Sequence, residues 1–356
     1  MNHDAATARE LTTIPAEPRS EVIEPGQEAA LPAALITAAR SFQAQARADR
    51  TRKAYARSWA GFCDWCRAHG RLALPASPET VAGWLTAMGA KQHARATIDQ
   101  ALSAVVCAHR TAGHAFDRKH TLIAETWRGI ARVLAKQRVP RKAKPPMGQD
   151  VRAIIESLKP QLAADARDAA LLAIGWGAAL RRSELVALDW EKMGDGGGLV
   201  SVAPIGITIT LATSKGSQTE AVDVVIPRDD MPQACEALEV WASAAGLVPG
   251  SPLFRSITKG GVISGARLTD GSVSRIIKSR VGAFAQVHGK TEQEAADLVA
   301  AVSGHSLRRG YGTTAAMHDV PGYRIKQRMR HKSMDTTAGY IEAGQAWTKS
   351  GLKGIF

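Results

Sequence analysis

The chain has 356 residues, too many for one compact core and suited to two domains. At 45% hydrophobic and 22% charged it has an ordinary globular composition. Its longest apolar run, Ala169–Leu180, is too short for a membrane span and is interrupted by Gly175 and Gly177, so no membrane partner is expected. Net charge is +13, and it is uneven: residues 1–30 hold six acids and two bases, net −4, leaving +17 on residues 31–356. A basic body of that size suits a polyanionic partner, with phosphate contacts and counterion release supplying affinity.

Residues 1–30, rich in Ala, Pro and Glu without periodicity, read as a disordered tail; Asp4 and Glu10 and the missing basic-then-apolar layout argue against a signal peptide. From Leu31 to about Gln137 the pattern is helical, giving a small all-helical domain of four or five helices over residues 31–138. Tyr55, Trp59, Phe62 and Trp65–Cys66 form an amphipathic stripe. Ser77-Pro78-Glu79-Thr80 starts a helix with inner face Val81, Trp84, Leu85 and Met88, and Thr97–Arg110 and His120–Lys136 supply further helices. Cys63-Asp-Trp-Cys66 has CxxC spacing but lies inside a helical pattern with no second pair, so it reads as packing and not as a metal or redox site. The free thiols imply a reducing compartment, by default the bacterial cytoplasm, with the nucleoid where its DNA lies.

Residues 139–148 break the pattern: from Arg138 to Gly148 there are three prolines and four basic residues, including Arg141, Lys142 and Lys144, a stiff positive linker suited to crossing a phosphate backbone. A second domain, 149–345, begins with helices at Val151–Leu158 and Asp165–Ala179. Leu199–Ala203, Ile205–Ala212 and Ala221–Ile226 alternate apolar and polar residues, a small antiparallel β-sheet whose last turn is Ser214-Lys215-Gly216-Ser217-Gln218. After Pro232 everything reads helical, including Gly271–Val287, Ser306–His318, Tyr323–Arg330 and Thr336–Glu342. The fold class is mainly α.

Splitting a phosphodiester needs an in-line nucleophile, cations on the non-bridging oxygens and an acid for the leaving oxygen. Arginine suits the cation role because its planar fork grips two oxygens and stays protonated. Arg181 and Arg308 are candidates from separate segments, each near a helix start; Glu184, one turn after Arg181, is placed to hold a guanidinium or histidine. His305 and Arg308 share a helix face, and a short turn folds His331 and Tyr340 toward one pocket. A phenol of ordinary pKa near 10 needs cations or a base to act as nucleophile.

Together these segments resemble the tyrosine recombinase/integrase family over roughly residues 35–345. Gly177-Ala-Ala-Leu-Arg181-Arg-Ser-Glu184-Leu185 is similar to its T-G-L-R-x-S-E-L box, His305-Ser-Leu-Arg308-Arg-Gly-Tyr-Gly-Thr313 to H-x-L-R-H-T-F-A-T, and His331-Lys-Ser-Met-Asp-Thr-Thr-Ala-Gly-Tyr340 to the box ending at the tyrosine. Arg330 stands where that family has glycine and Arg309 where it has histidine, and Gly310 and Gly312 are expected to loosen the helix start. The resemblance implies a SAM-like core-binding domain and an α-rich catalytic domain clamping duplex DNA at short inverted repeats, as a homo-tetramer working through a Holliday junction without cofactor. It implies Tyr340 as nucleophile, Arg181 and Arg308 on the phosphate, Lys215 as acid, His305 in proton transfer, Glu184 in support and His331 on the phosphate. Residues 346–356, with Trp347 and Leu352, would dock on a neighbouring protomer.

The same layout makes Arg50, Arg52 and Lys53, then Lys91, Arg95, Thr97 and Gln100, and in the second domain Ser272, Ser274, Arg275 and Lys278, candidates for DNA contact. The alternatives are a type IB topoisomerase-like or telomere-resolving nickase–ligase, and a non-catalytic DNA-binding protein.

Overall fold

The computed structural model describes residues 31–45, 49–137, 148–212 and 221–346. The chain divides into two compact units, Met1–Pro140 and Arg141–Phe356.

In the first unit the described residues form five helices: α1 (Ala33–Gln45), α2 (Asp49–Ala68), α3 (Pro78–Ala90), α4 (Arg95–Thr111) and α5 (Thr121–Gln137). The aromatic stripe of α2 turns inward: Phe62 and Cys66 are buried with Val81, Trp84 and Leu85 of α3, Ile98, Leu102 and Val105 of α4 and Ile123 of α5, while Trp59 and Trp65 pack against them. Ser77 caps α3 by accepting the Thr80 N–H, and Pro78 opens the helix where its missing N–H costs nothing. His109 is fully buried and satisfied at both nitrogens: Nδ1 lies 2.8 Å from the Val105 carbonyl and Nε2 accepts the Ala76 N–H at 2.8 Å. It is a structural histidine.

The second unit contains α6 (Gly148–Glu156), α7 (Ala163–Gly177), α8 (Arg182–Val186), β1 (Leu188–Trp190), β2 (Gly198–Ala203), β3 (Gly206–Leu211), β4 (Val222–Pro227), α9 (Pro232–Ala244), β5 (Arg255–Ile257), β6 (Ile263–Arg267), α10 (Asp270–Val287), α11 (Glu292–Ala301), α12 (Ser306–Met317), α13 (Gly322–Met329) and α14 (Met334–Gln345). The apolar run read in the sequence is α7, buried on nearly every face from Ala166 to Gly177. It runs through the main core, among Ile154, Leu185, Ile207, Ile226, Leu238, Trp241, Ile277 and Leu307.

The sheet holds the three expected antiparallel strands β2–β3–β4, with β1 added parallel to β2. A three-residue strand has no visible alternation, and all of Leu188, Asp189 and Trp190 are buried, so β1 is silent in the sequence. The expectation of helix throughout after Pro232 is corrected by the antiparallel pair β5–β6. Its strands are too short and too evenly half-exposed for a period of two to show. Arg267 at the end of β6 reaches the fully buried Asp189 at 2.5 Å, and Asp189 also accepts the N–H groups of Gly194 and Gly196 at 2.9 and 3.0 Å. One carboxylate thus ties β1, the following loop and β6 together.

Candidate active site

Two helix ends make the floor of the site. α7 stops at Ala179, which has a left-handed φ of 48°. The Leu180 N–H returns to the Gly175 carbonyl at 3.1 Å and the Ala179 N–H to Trp176 at 3.0 Å, the paired bonds of a Schellman stop. α13 stops the same way at Arg330, φ 53°, with the His331 N–H on Lys326 and the Arg330 N–H on Gln327. Both left-handed positions fall where the family pattern carries glycine, and the backbone geometry is the reason: only glycine adopts it without steric cost.

These two ends leave carbonyls facing inward, and Arg308 in the first turn of α12 takes them. Its Nη1 donates to the Ala179 carbonyl at 2.7 Å and its Nη2 to the Met329 carbonyl. The guanidinium, on a residue only 5% exposed, lies against the negative ends of two helix dipoles. Burial, then the charges of Arg181 and Arg330, lower its pKa to about 10 against the opposing pull of Glu184 and Tyr340. It remains a cation at neutral pH.

Arg181 is the N-cap of α8, and its own chain turn brings Glu184 back to it: the carboxylate accepts the Arg181 backbone N–H at 2.8 Å and its guanidinium as well. Glu184 also accepts Arg330 Nη2 at 2.8 Å. Burial alone would raise the Glu184 carboxyl, but Arg330, the Arg181 N–H and the Arg181 guanidinium outweigh it and hold the group ionised. Arg181 keeps 37% of its side chain exposed, so it faces outward where Arg308 faces in.

His331 follows the stop of α13, and its Nδ1 lies 2.9 Å from Thr337 Oγ1. The Tyr340 ring stacks on the imidazole at 5.6 Å between centroids and 22° between planes. Burial, then Arg308, Arg181 and Arg330, push the His331 pKa down to about 4. The imidazole is therefore neutral at pH 7, a hydrogen-bonding group and not another cation.

Tyr340 is carried on α14, which docks on α12 through small residues. A Cβ on Gly344 would stand 2.7 Å from the Thr313 carbonyl and 2.7 Å from Ala316 Cβ, and one on Gly312 would stand 3.1 Å from Tyr340 Cδ1. The expectation that Gly310 and Gly312 loosen α12 is corrected: the helix runs unbroken from Ser306 to Met317 with both glycines buried. Gly312 is small because Met329 and Tyr340 lie against it. Gly344→Ala is expected to push α14 off α12 and lower stability by about 1–3 kcal/mol, the usual cost of overpacking a tight contact. Thermal unfolding would check this, and a wild-type midpoint would refute it.

His305 is the exposed N-cap of α12, its backbone N–H 3.4 Å from Ser303 Oγ. Gly304 before it fits a gap between α8 and α10, where a Cβ would meet Ser274 Oγ at 2.6 Å and Arg182 Cδ at 2.8 Å. Thus Arg181, Glu184, Arg308, His331 and Tyr340 converge, with His305 at the open start of the same helix. Lys215, Arg141, Lys142, Lys144, Trp347 and Leu352 lie outside the described residues, as does the side chain of Arg50. Arg330 was not among the candidate site residues; its signal was a long cation standing where a left-handed turn favours glycine.

The candidate DNA-contact residues of the first unit are exposed: Arg52, Lys53, Lys91, Arg95, Thr97 and Gln100. Arg95 lies 6.0 Å over the Trp127 ring, and Gln100 reaches Ser58 Oγ at 3.4 Å. On α10, Arg275 and Lys278 are exposed; Ser272 accepts from Arg275 at 3.0 Å, while Ser274 is half-buried.

Residues 147–346 match the model of the phage integrase family. The chain is 32% identical over 320 residues to the integrase/recombinase XerD homolog of Selenomonas ruminantium, covering 88% of this chain and 87% of that one. It is 25% identical over 295 residues to the Cre recombinase of Escherichia phage P1, covering 80% of each. Among solved structures, the Tn1549 transposon integrase in complex with transposon right-end DNA is similar in fold, with a TM-score of 0.55 at 12% identity over 88% of this chain and 98% of that chain. Among the described residues no helix is long and apolar enough to cross a membrane, and no group of His, Cys, Asp and Glu is placed to hold a metal ion.

Proposed function

From its membership of the phage integrase family of tyrosine recombinases, we propose that the chain cuts and rejoins duplex DNA at a specific site through a covalent 3′-phosphotyrosyl link on Tyr340. The observation that carries this reading is the stacked His331–Tyr340 pair beside the Arg181, Arg308 and Arg330 guanidiniums in one subunit. With Glu184 ionised and His331 neutral, the cluster holds two more positive charges than negative. A phosphodiester, with one charge that spreads over its oxygens as it is attacked, is the ligand such a site stabilises.

Tyr340 Oη attacks the phosphorus in line, its proton leaving with the help of His305. The bond to the 5′ oxygen breaks, and Lys215 protonates that oxygen to give a free 5′ hydroxyl. Arg308, fixed by two helix-end carbonyls, and the more exposed Arg181 share the non-bridging oxygens. With Nδ1 turned to Thr337, His331 addresses the phosphate through Nε2. The ester conserves the energy of the broken bond, so a second 5′ hydroxyl can reverse the step without ATP or a cofactor. Four protomers on paired inverted repeats would exchange strands through a Holliday junction, with Arg52, Lys53, Lys91, Arg95, Thr97, Gln100, Ser272, Ser274, Arg275 and Lys278 among the DNA contacts.

The test is to trap the adduct on nicked suicide duplexes made from the DNA flanking the coding sequence, and to sequence the cut end. A 3′-linked adduct confined to one sequence supports the reading. Relaxation of supercoils with no preferred sequence would favour a topoisomerase-like enzyme instead, and no adduct on any duplex would leave only a binding protein. Affinity is expected to fall steeply with salt, by about 10³–10⁵ between 50 and 200 mM if about 6–10 phosphates are neutralised. A flat salt response would contradict the charge of the chain.

A further inference from the structure

Arg330 combines three unfavourable features. It holds a left-handed φ of 53° although it has a Cβ. Its charged side chain is only 8% exposed. Its Nε is buried with no hydrogen-bond partner. Costs stacked on one residue persist where its contacts serve the site.

Those contacts are specific. Nη1 donates to the carbonyls of Ala178 at 3.2 Å and Arg328 at 2.8 Å. Nη2 donates to the Ala179 carbonyl at 3.2 Å and to Glu184 Oε2 at 2.8 Å. The Ala179 carbonyl is also held by Arg308, and Glu184 also holds Arg181. The residues therefore form a chain, Arg308 to Ala179 to Arg330 to Glu184 to Arg181, with Arg330 in the middle.

We propose that Arg330 is a positioning residue for strand cleavage: it fixes the spacing of the Arg181 and Arg308 guanidiniums by clamping the stop of α7 to Glu184, and it does not itself touch the phosphate. This rests on the function proposed above. Without Arg330, Glu184 keeps Arg181 as its one guanidinium partner of the two and draws it away from the substrate. Lysine, with a compact ammonium, cannot span the carbonyls and the carboxylate at once.

Arg330 also belongs to the field on His331. That imidazole faces Arg308 from α12, Arg181 from the start of α8, Arg330 from the end of α13, and Thr337 and Tyr340 from α14, with Glu184 behind Arg330. Removing one of the three cations lets the imidazole protonate at higher pH.

The experiment compares wild type, Arg330→Gly, Arg330→Lys, Glu184→Gln and Arg330→Gly/Glu184→Gln as full chains on the suicide duplex. Glycine relieves the backbone while deleting the clamp. Arg330→Gly is expected to lower single-turnover cleavage about 10- to 100-fold with DNA affinity within about threefold. The acid limb of its rate profile is expected to move to higher pH. Arg330→Lys should recover part of the rate, and Glu184→Gln should cost less in the Arg330→Gly background than alone, because the two side chains act as one unit. The proposal is overturned if Arg330→Gly cleaves like wild type with an unmoved acid limb. It is equally overturned if the lost rate matches the lost fraction of folded protein, read from the thermal melt. If wild type forms no adduct, or Tyr340→Phe still forms one, the fault lies in the function proposed above and not in the role of Arg330.

Discussion

Tyr340→Phe is expected to abolish the covalent DNA adduct while leaving DNA affinity unchanged. The substitution deletes one hydroxyl. The ring that stacks on His331 and lies against Gly312 stays, so α14 keeps its seat on α12. A nucleophile is not a contributor that can be partly replaced: its loss costs on the order of 10⁶-fold in enzymes that act through a covalent intermediate. The adduct, resolved from free DNA on a denaturing gel, should fall to background, with Kd by filter binding matching wild type. An adduct that survives would mean that another side chain attacks, and the stacked pair would then be mere packing.

The second large effect is expected at Arg308. Arg308→Ala should reduce single-turnover cleavage about 10³- to 10⁵-fold, the range over which an arginine stabilises charge in phosphoryl transfer. Stability also falls, because the buried Met329 carbonyl loses its side-chain donor, at about 1–3 kcal/mol for an unsatisfied group, while the Ala179 carbonyl keeps Arg330. Relief of repulsion among Arg308, Arg181 and Arg330 offsets part of this. Arg308→Lys keeps the charge but not the fork that reaches two carbonyls, so its rate should lie between wild type and alanine. Cleavage rate and DNA affinity have to be measured on the same preparations. If both drop by the same factor, Arg308 docks DNA and does not act on the reacting phosphate.

The sequence made the helical character of both units legible through apolar stripes such as Trp59–Phe62–Cys66 and the long run that became α7. As candidates, Arg181, Glu184, Arg308, His331 and Tyr340 stood out through their joint order and the family resemblance, because each short segment alone is common at ordinary helix ends. Their convergence was expected from the resemblance, but the means of it was not legible, because it depends on where α7 and α13 stop. Those stops use Ala179 and Arg330 where left-handed backbone favours glycine, so composition gave no sign of them. Arg330 therefore looked like a local departure, although its partners Ala178, Ala179 and Glu184 lie about 150 positions away in the chain. The strands β1, β5 and β6 were hidden by their shortness.

The helix bearing Tyr340 has few anchors. Among its residues only Thr337 and Gly344 are buried, while Tyr340 and Ile341 merely lean on a small cluster of Ala179, Ala315, Ala316, Ile325 and Met329 that stands apart from the main core. Each large apolar side chain fully sequestered from water contributes about 1.5–3 kcal/mol, and this helix sequesters none. Its departure is thus far cheaper than melting the domain, and it leaves the clasp of Arg308 on the two helix ends intact. On the function proposed above, the nucleophile would thus be held more loosely than the arginine that grips the phosphate.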